Sequence, residues 1–197
     1  MLEMKKHNTA TNGFTLVELM VTVALVAILL AVAVPSFTTY RRNAELTSVT
    51  NTLLSGINAA RGEAMKRGRN AMVVPTDGAN WSSGWVVFVD IDRSQTYAAA
   101  SDNTILTQEP PPTGLDISGN GSTAGSTPYI MYDAAGYSKL KSGAFGASTF
   151  EIKRNDVTGA ELLSQTRRIK IASTGRARVC TPKTSSDAQC SASASDL

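Results

Sequence analysis

The chain has 197 residues, a formal charge of +3, 42% hydrophobic residues, one histidine and two cysteines. That length leaves room for one ordinary domain beside an N-terminal helix, and the charge is too small to mark a nucleic-acid-binding protein by composition, so any such reading must rest on local clustering. His7 stands at the extreme N-terminus and no phosphate-cradling glycine loop followed by lysine occurs, so the residues offer no catalytic set and no cofactor site, and the chain is not expected to be an enzyme.

In chain order, Lys5 and Lys6 precede Gly13, then Phe14-Thr15-Leu16-Val17-Glu18, then the apolar run LMVTVALVAILLAVAV from Leu19 to Val34. With Phe14–Val17 this run makes roughly 30 Å of helix at about 1.5 Å per residue, enough to cross a bilayer. A lone carboxylate near the start of such a span is costly and marks function, so Glu18 needs a compensating group. The cleavage site of an ordinary secretory signal follows its apolar run, whereas Gly13 precedes this one. Pro35 lacks the amide hydrogen that a helix interior uses, which predicts a kink or local loosening. Beyond it, Leu46, Val49, Leu53, Ile57, Ala60 and Ala64 recur at intervals of three and four. This predicts an amphipathic helix to about Lys66 with one face on the head, and Gly68 after Lys66 and Arg67 is a stop signal.

The N-terminal pattern resembles the class III signal of type IV pilins and pseudopilins. The resemblance implies that a prepilin peptidase cuts between Gly13 and Phe14 and methylates Phe14, and that the freed amine compensates Glu18 in the assembled filament. Lys5 and Lys6 would hold the leader on the cytoplasmic side. It further implies an α+β type IV pilin fold, a long N-terminal α-helix packed on a C-terminal antiparallel β-sheet head. Residues 1–13 would be the leader, 14–40 the transmembrane and filament-core helix, and 41–197 a periplasmic or extracellular head. The head would comprise an amphipathic helix over about 41–67, a β-rich region over 70–180 and a disulfide tail over 180–197. Such a chain is held in the inner membrane before it joins other pilins in an extracellular pilus.

After Arg69 the runs Ala71–Val74, Trp85–Asp90, Tyr129–Tyr132, Thr149–Lys153 and Arg167–Ala172 read as antiparallel strands. The proline- and glycine-rich stretch from Glu109 to Pro128 reads as a long mobile loop. Trp81-Ser-Ser-Gly84-Trp85-Val-Val-Phe-Val-Asp90 and Tyr129-Ile-Met-Tyr-Asp-Ala-Ala-Gly136 resemble segments of the FimT/FimU and GspH group of minor pilins and pseudopilins. Asp90 and Asp92 form a D-x-D pattern that could suggest calcium, but a strand ending in an acidic turn is the commoner arrangement, and no metal is expected. In an exported head Cys180 and Cys190 predict a disulfide worth about 2 to 3 kcal/mol.

The C-terminal region is locally basic: Arg167, Arg168, Lys170, Arg176 and Arg178 occur with no acid among them. Strand alternation places Arg168 and Lys170 on one polar face. Gly175 suits a turn, and Arg176 and Arg178 project to one side if extended, where guanidinium forks can straddle a phosphate backbone. Here the chain resembles the Gly-Arg-x-Arg motif of the DNA-binding FimT branch, which acts in DNA uptake during natural transformation. The resemblance makes Arg176 and Arg178 the expected DNA contacts, with Arg168 and Lys170 added by proximity and alternation. Binding through phosphates would be nonspecific and salt-dependent. The competing expectation is a structural minor pilin or type II secretion pseudopilin that primes filament assembly without DNA, since a basic strand end also serves as a solvated, protected sheet edge.

Overall fold

Thr15 opens the first helix by accepting the Glu18 amide on its Oγ1 at 3.2 Å, which satisfies one of the donors that every helix start leaves bare. Helix α1 then runs over Leu16–Arg67, 52 residues, without a break at Pro35. It ends at Gly68, whose φ of 63° closes the last turn, while the Arg69 amide donates back to Ala64 O at 3.3 Å. This computed structural model describes residues 13–193, so Lys5, Lys6, His7 and the rest of the expected leader before Gly13 lie outside it, as do the last four residues. The chain divides into two compact units, Met1–Arg41 and Arg42–Leu197.

In the first unit every large apolar side chain described from Phe14 to Tyr40 is more than half exposed. This stretch of α1 is long and apolar enough to cross a membrane.

In the second unit the face anticipated from the three-and-four spacing is the buried one: Leu46, Val49, Leu53, Ile57, Ala60 and Ala64 all join the main core. Burying a leucine or isoleucine of this kind is worth about 1.5 to 3 kcal/mol. Gly56 lets the helix approach the sheet closely, because a Cβ there would stand 3.1 Å from the Trp85 indole nitrogen.

Two antiparallel sheets receive this face. The first has the order β3-β2-β1-β5, with β1 Ala71–Pro75, β2 Trp85–Val89, β3 Asn103–Gln108 and β5 Ile130–Tyr132. The second has the order β4-β6-β7-β8, with β4 Leu115–Gly119, β6 Ser148–Arg154, β7 Thr166–Ile171 and β8 Ala177–Cys180. Alternate residues point inward, so Val73, Val87, Ile130, Ile117, Phe150, Ile152 and Ile169 meet the helix in one core. On the other face of the first sheet, Met72, Phe88 and Met131 form a smaller cluster under Tyr97.

The stretch expected to be one mobile loop is instead structured in part. It contains β4 and a short 3₁₀ turn, Gly121–Thr123, and the Thr123 carbonyl accepts the buried Trp81 Nε1 at 2.9 Å. Leu115 and Ile117 supply the apolar residues that let this glycine-rich segment pair with β6. Strands β3 and β8 and the short helix α2, Ala160–Ser164, are further elements that periodicity did not predict.

Candidate nucleic-acid interface

Strands β7 and β8 form a hairpin whose register sets Arg168 opposite Cys180, Lys170 opposite Arg178 and Ile171 opposite Ala177. Its turn closes through the Gly175 amide, which donates to Ala172 O at 2.8 Å. Gly175 adopts a φ of 83°, a conformation that L side chains avoid. A Cβ at this position would also collide with the Gly136 carbonyl oxygen. Arg61 of α1 fixes both chain segments, donating to Gly136 O at 3.0 Å and Thr174 O at 3.4 Å, and the Ser138 amide donates to Ser173 O at 3.1 Å. Gly175 is therefore a packing residue that braces the hairpin tip.

Alternation does bring Arg168 and Lys170 to one face, together with Arg178. That face is not open to solvent, which corrects the reading of Arg168 and Lys170 as DNA contacts. Cys180 and Cys190 form the expected disulfide, with Cα atoms 5.8 Å apart. The chain after it turns back across the outer face of the second sheet and offers its backbone carbonyls to the side chains beneath. Arg178 Nη2 donates to Gln189 O at 2.7 Å and Arg168 Nη1 to Cys190 O at 2.5 Å. Lys170 Nζ donates to Ser191 O at 3.3 Å and to Ser193 O at 3.2 Å. Asn120 Nδ2 reaches Ala192 O, and Thr149 Oγ1 donates to Ser193 O at 3.2 Å. Lys170 is 0% exposed and Arg168 7%, so carbonyl oxygens replace the water that a buried cation must otherwise lose at high cost.

The charge of Arg168 is neutralised as well. Its Nε and Nη2 donate to Glu151 Oε2 at 2.9 and 2.6 Å. Burial pushes the Glu151 carboxyl up, but hydrogen bonds and charge from Arg168 and Lys153 outweigh it and hold the group below its ordinary range. Arg167 turns the other way and donates to Asn43 Oδ1 on α1 at 3.2 Å.

Two arginines remain. Arg176 is exposed at the hairpin tip; its carbonyl accepts the Ala172 amide at 2.9 Å, and among the described residues its side chain has neither hydrogen bond nor ion pair. Arg178 is half-buried, and its bond to the Gln189 carbonyl leaves its charge and its other donors in place. Glu151, Asn120 and Thr149 shape this face and escaped sequence reasoning. At the other end of α1, Phe14 and Glu18 are exposed and Gly13 precedes the helix.

A long apolar N-terminal helix whose later turns pack on antiparallel sheets defines the pilin-like class of subunit. Residues 49–175 match the family model described as "Type II transport protein GspH", and residues 8–34 match the "Prokaryotic N-terminal methylation motif". The chain belongs to the GspH family. It is a pilin-like subunit of the minor pilin and pseudopilin kind, with the motif that prepilin processing recognises.

Among solved structures, the type IV minor pilin FimU of Pseudomonas aeruginosa aligns over 72% of this chain and 95% of its own, with 19% identity and a TM-score of 0.54. Likeness of that degree establishes the fold and not the activity. The minor pseudopilin EpsH of the Vibrio cholerae type 2 secretion system aligns over 71% of this chain and 99% of its own, with 15% identity and a TM-score of 0.46. No curated protein matches the chain.

Proposed function

We propose that the chain is a type IV pilus minor pilin that holds DNA nonspecifically through Arg176 and Arg178 during DNA uptake in natural transformation. Cleavage between Gly13 and Phe14 removes the leader, residues 1–13, and leaves residues 14–40 as the filament-core helix and residues 41–197 as the head outside the inner membrane. Glu18 then pairs with the freed amine as the subunit packs among other pilins, which removes the cost of a carboxylate in an apolar setting. The observation that carries the DNA reading is the hairpin: among the described residues neither Arg176, at its tip, nor Arg178, two residues on in β8, forms an ion pair, and the turn beside them is braced by Gly175 and Arg61. Guanidinium groups so placed engage phosphate oxygens. With two cations the logarithmic salt dependence should have a slope of about −2, the mark of weak backbone binding.

A second reading has its own support. Because Arg168 and Lys170 are sealed beneath the tail, the open basic surface is small, as suits a subunit or pseudopilin that only primes filament assembly. A salt-series mobility shift of the full-length chain in detergent on double-stranded DNA decides between them. Binding that weakens with salt and is lost in Arg176→Gln, Arg178→Gln supports DNA capture. Equal binding by both proteins, or none by either, leaves the assembly subunit.

A further inference from the structure

Strand β2 ends at Val89 and β3 begins at Asn103, and the connection between them gathers three aspartates. Carboxylate oxygens of Asp90, Asp92 and Asp102 all lie within 4.8 Å of one another. Two oxygens each bound about 2.4 Å from one ion can be separated by at most about 4.8 Å, so the spacing suits a single oxygen-ligated cation.

A separate observation concerns Asp90 alone. Its side chain is 1% exposed, and its Oδ1 is buried without a hydrogen-bond partner. Oδ2 accepts only the Gln95 amide, at 3.2 Å. A buried carboxylate oxygen left bare is costly and calls for a positive partner. Among the described residues no lysine or arginine forms an ion pair with any of the three aspartates. Arg69, which lines the cavity beside Asp90, donates instead to Ile91 O at 3.1 Å.

The other two carboxylates are held in place. Asp92 accepts the Ser94 amide at 2.9 Å and the Ser101 hydroxyl at 2.7 Å. Asp102 accepts the amides of Ile91 at 3.1 Å and Ala98 at 2.9 Å. Each of these oxygens retains a lone pair for a metal.

We propose that Asp90, Asp92 and Asp102 bind a calcium ion, with Asp90 Oδ1 as its buried ligand and water on the exposed side of Asp92. An all-oxygen, carboxylate-rich set disfavours zinc and copper, and the lack of an enforced octahedron disfavours magnesium. A site open on one side belongs in the range of about 10⁻⁴ to 10⁻³ M typical of extracellular modules. The ion would tie the end of β2 to the start of β3 and anchor the connection that carries Tyr97 onto Phe88, whose rings are 5.1 Å apart. The rival account is a shared proton, with a neutral Asp90 donating to Asp92 and no metal.

Thermal unfolding of the full-length chain in detergent, stripped with chelator and titrated with calcium at constant ionic strength, separates the two. At 10 mM calcium the midpoint should rise by roughly 3 to 10 °C, magnesium should give a much smaller rise, and Asp92→Asn should lose the calcium response while remaining folded. Indifference of the wild-type chain to calcium, or a full response in Asp92→Asn, overturns the proposal. An equal response to magnesium overturns the assignment to calcium.

Discussion

Gly175→Ala tests whether the glycine of the basic motif serves packing or ligand contact. The residue adopts a φ of 83° and its added methyl would meet the Gly136 carbonyl oxygen. The left-handed conformation alone costs an alanine about 1 kcal/mol. Relieving the collision moves the hairpin tip from the Gly136 turn and weakens the Ser138–Ser173 and Arg61–Gly136 hydrogen bonds, together worth about 2 kcal/mol. The sum of about 3 kcal/mol lowers the midpoint of a domain of this size by roughly 6 to 12 °C. Gly143→Ala is the control, since its φ is 88° but nothing lies within 4 Å of the added Cβ, so it should show the conformational cost alone. Thermal unfolding followed by circular dichroism reads both variants. A Gly175→Ala midpoint no lower than that of Gly143→Ala would refute the packing role.

Replacing Cys180 and Cys190 together by serine should cost about 3 kcal/mol from the closed loop and free Lys170 and Arg178 from the tail. If DNA binds at the hairpin, the salt slope should steepen from about −2 to about −3 in the mobility shift. Glu151→Gln leaves the Arg168 guanidinium buried without a counter-charge and should destabilise the head by about 3 kcal/mol at neutral pH. The folded carboxyl lies below its ordinary value of 4.5, so its contribution is complete above that pH and is lost as pH falls through the folded pKa. Acid titration of stability should therefore be flatter in Glu151→Gln than in wild type, and parallel curves would contradict the pairing.

The helix and its buried face were legible because Leu46, Val49, Leu53, Ile57, Ala60 and Ala64 repeat with the helical period, and one core consumes them all. Strands β1, β2, β5, β6 and β7 were legible because their β-branched and aromatic residues form runs. Strand β4 was hidden because only Leu115 and Ile117 carry the alternation within a proline- and glycine-rich stretch, and the decisive partner, β6, is distant in sequence. The edge strand β3 has no fully buried residue and carries a register shift opposite Val87 and Phe88, which blurs its pattern. At the candidate interface, alternation correctly grouped Arg168 with Lys170 but could not report what lies over them. The covering groups are backbone carbonyls, which every residue possesses and no side-chain pattern announces. For the same reason Asp102 stayed apart from Asp90 and Asp92 until β2 and β3 paired.

The disulfide tail has a consequence in time. Every strand of both sheets precedes Cys190 and the carbonyls that seat Lys170 in the chain. While the Cys180–Cys190 bond is unmade, no cross-link pins those carbonyls over the second sheet, so a head in that state would keep its lysine hydrated, and oxidation of one bond ends that state. A reducing environment would hold the molecule there, more cationic at its surface than the finished subunit.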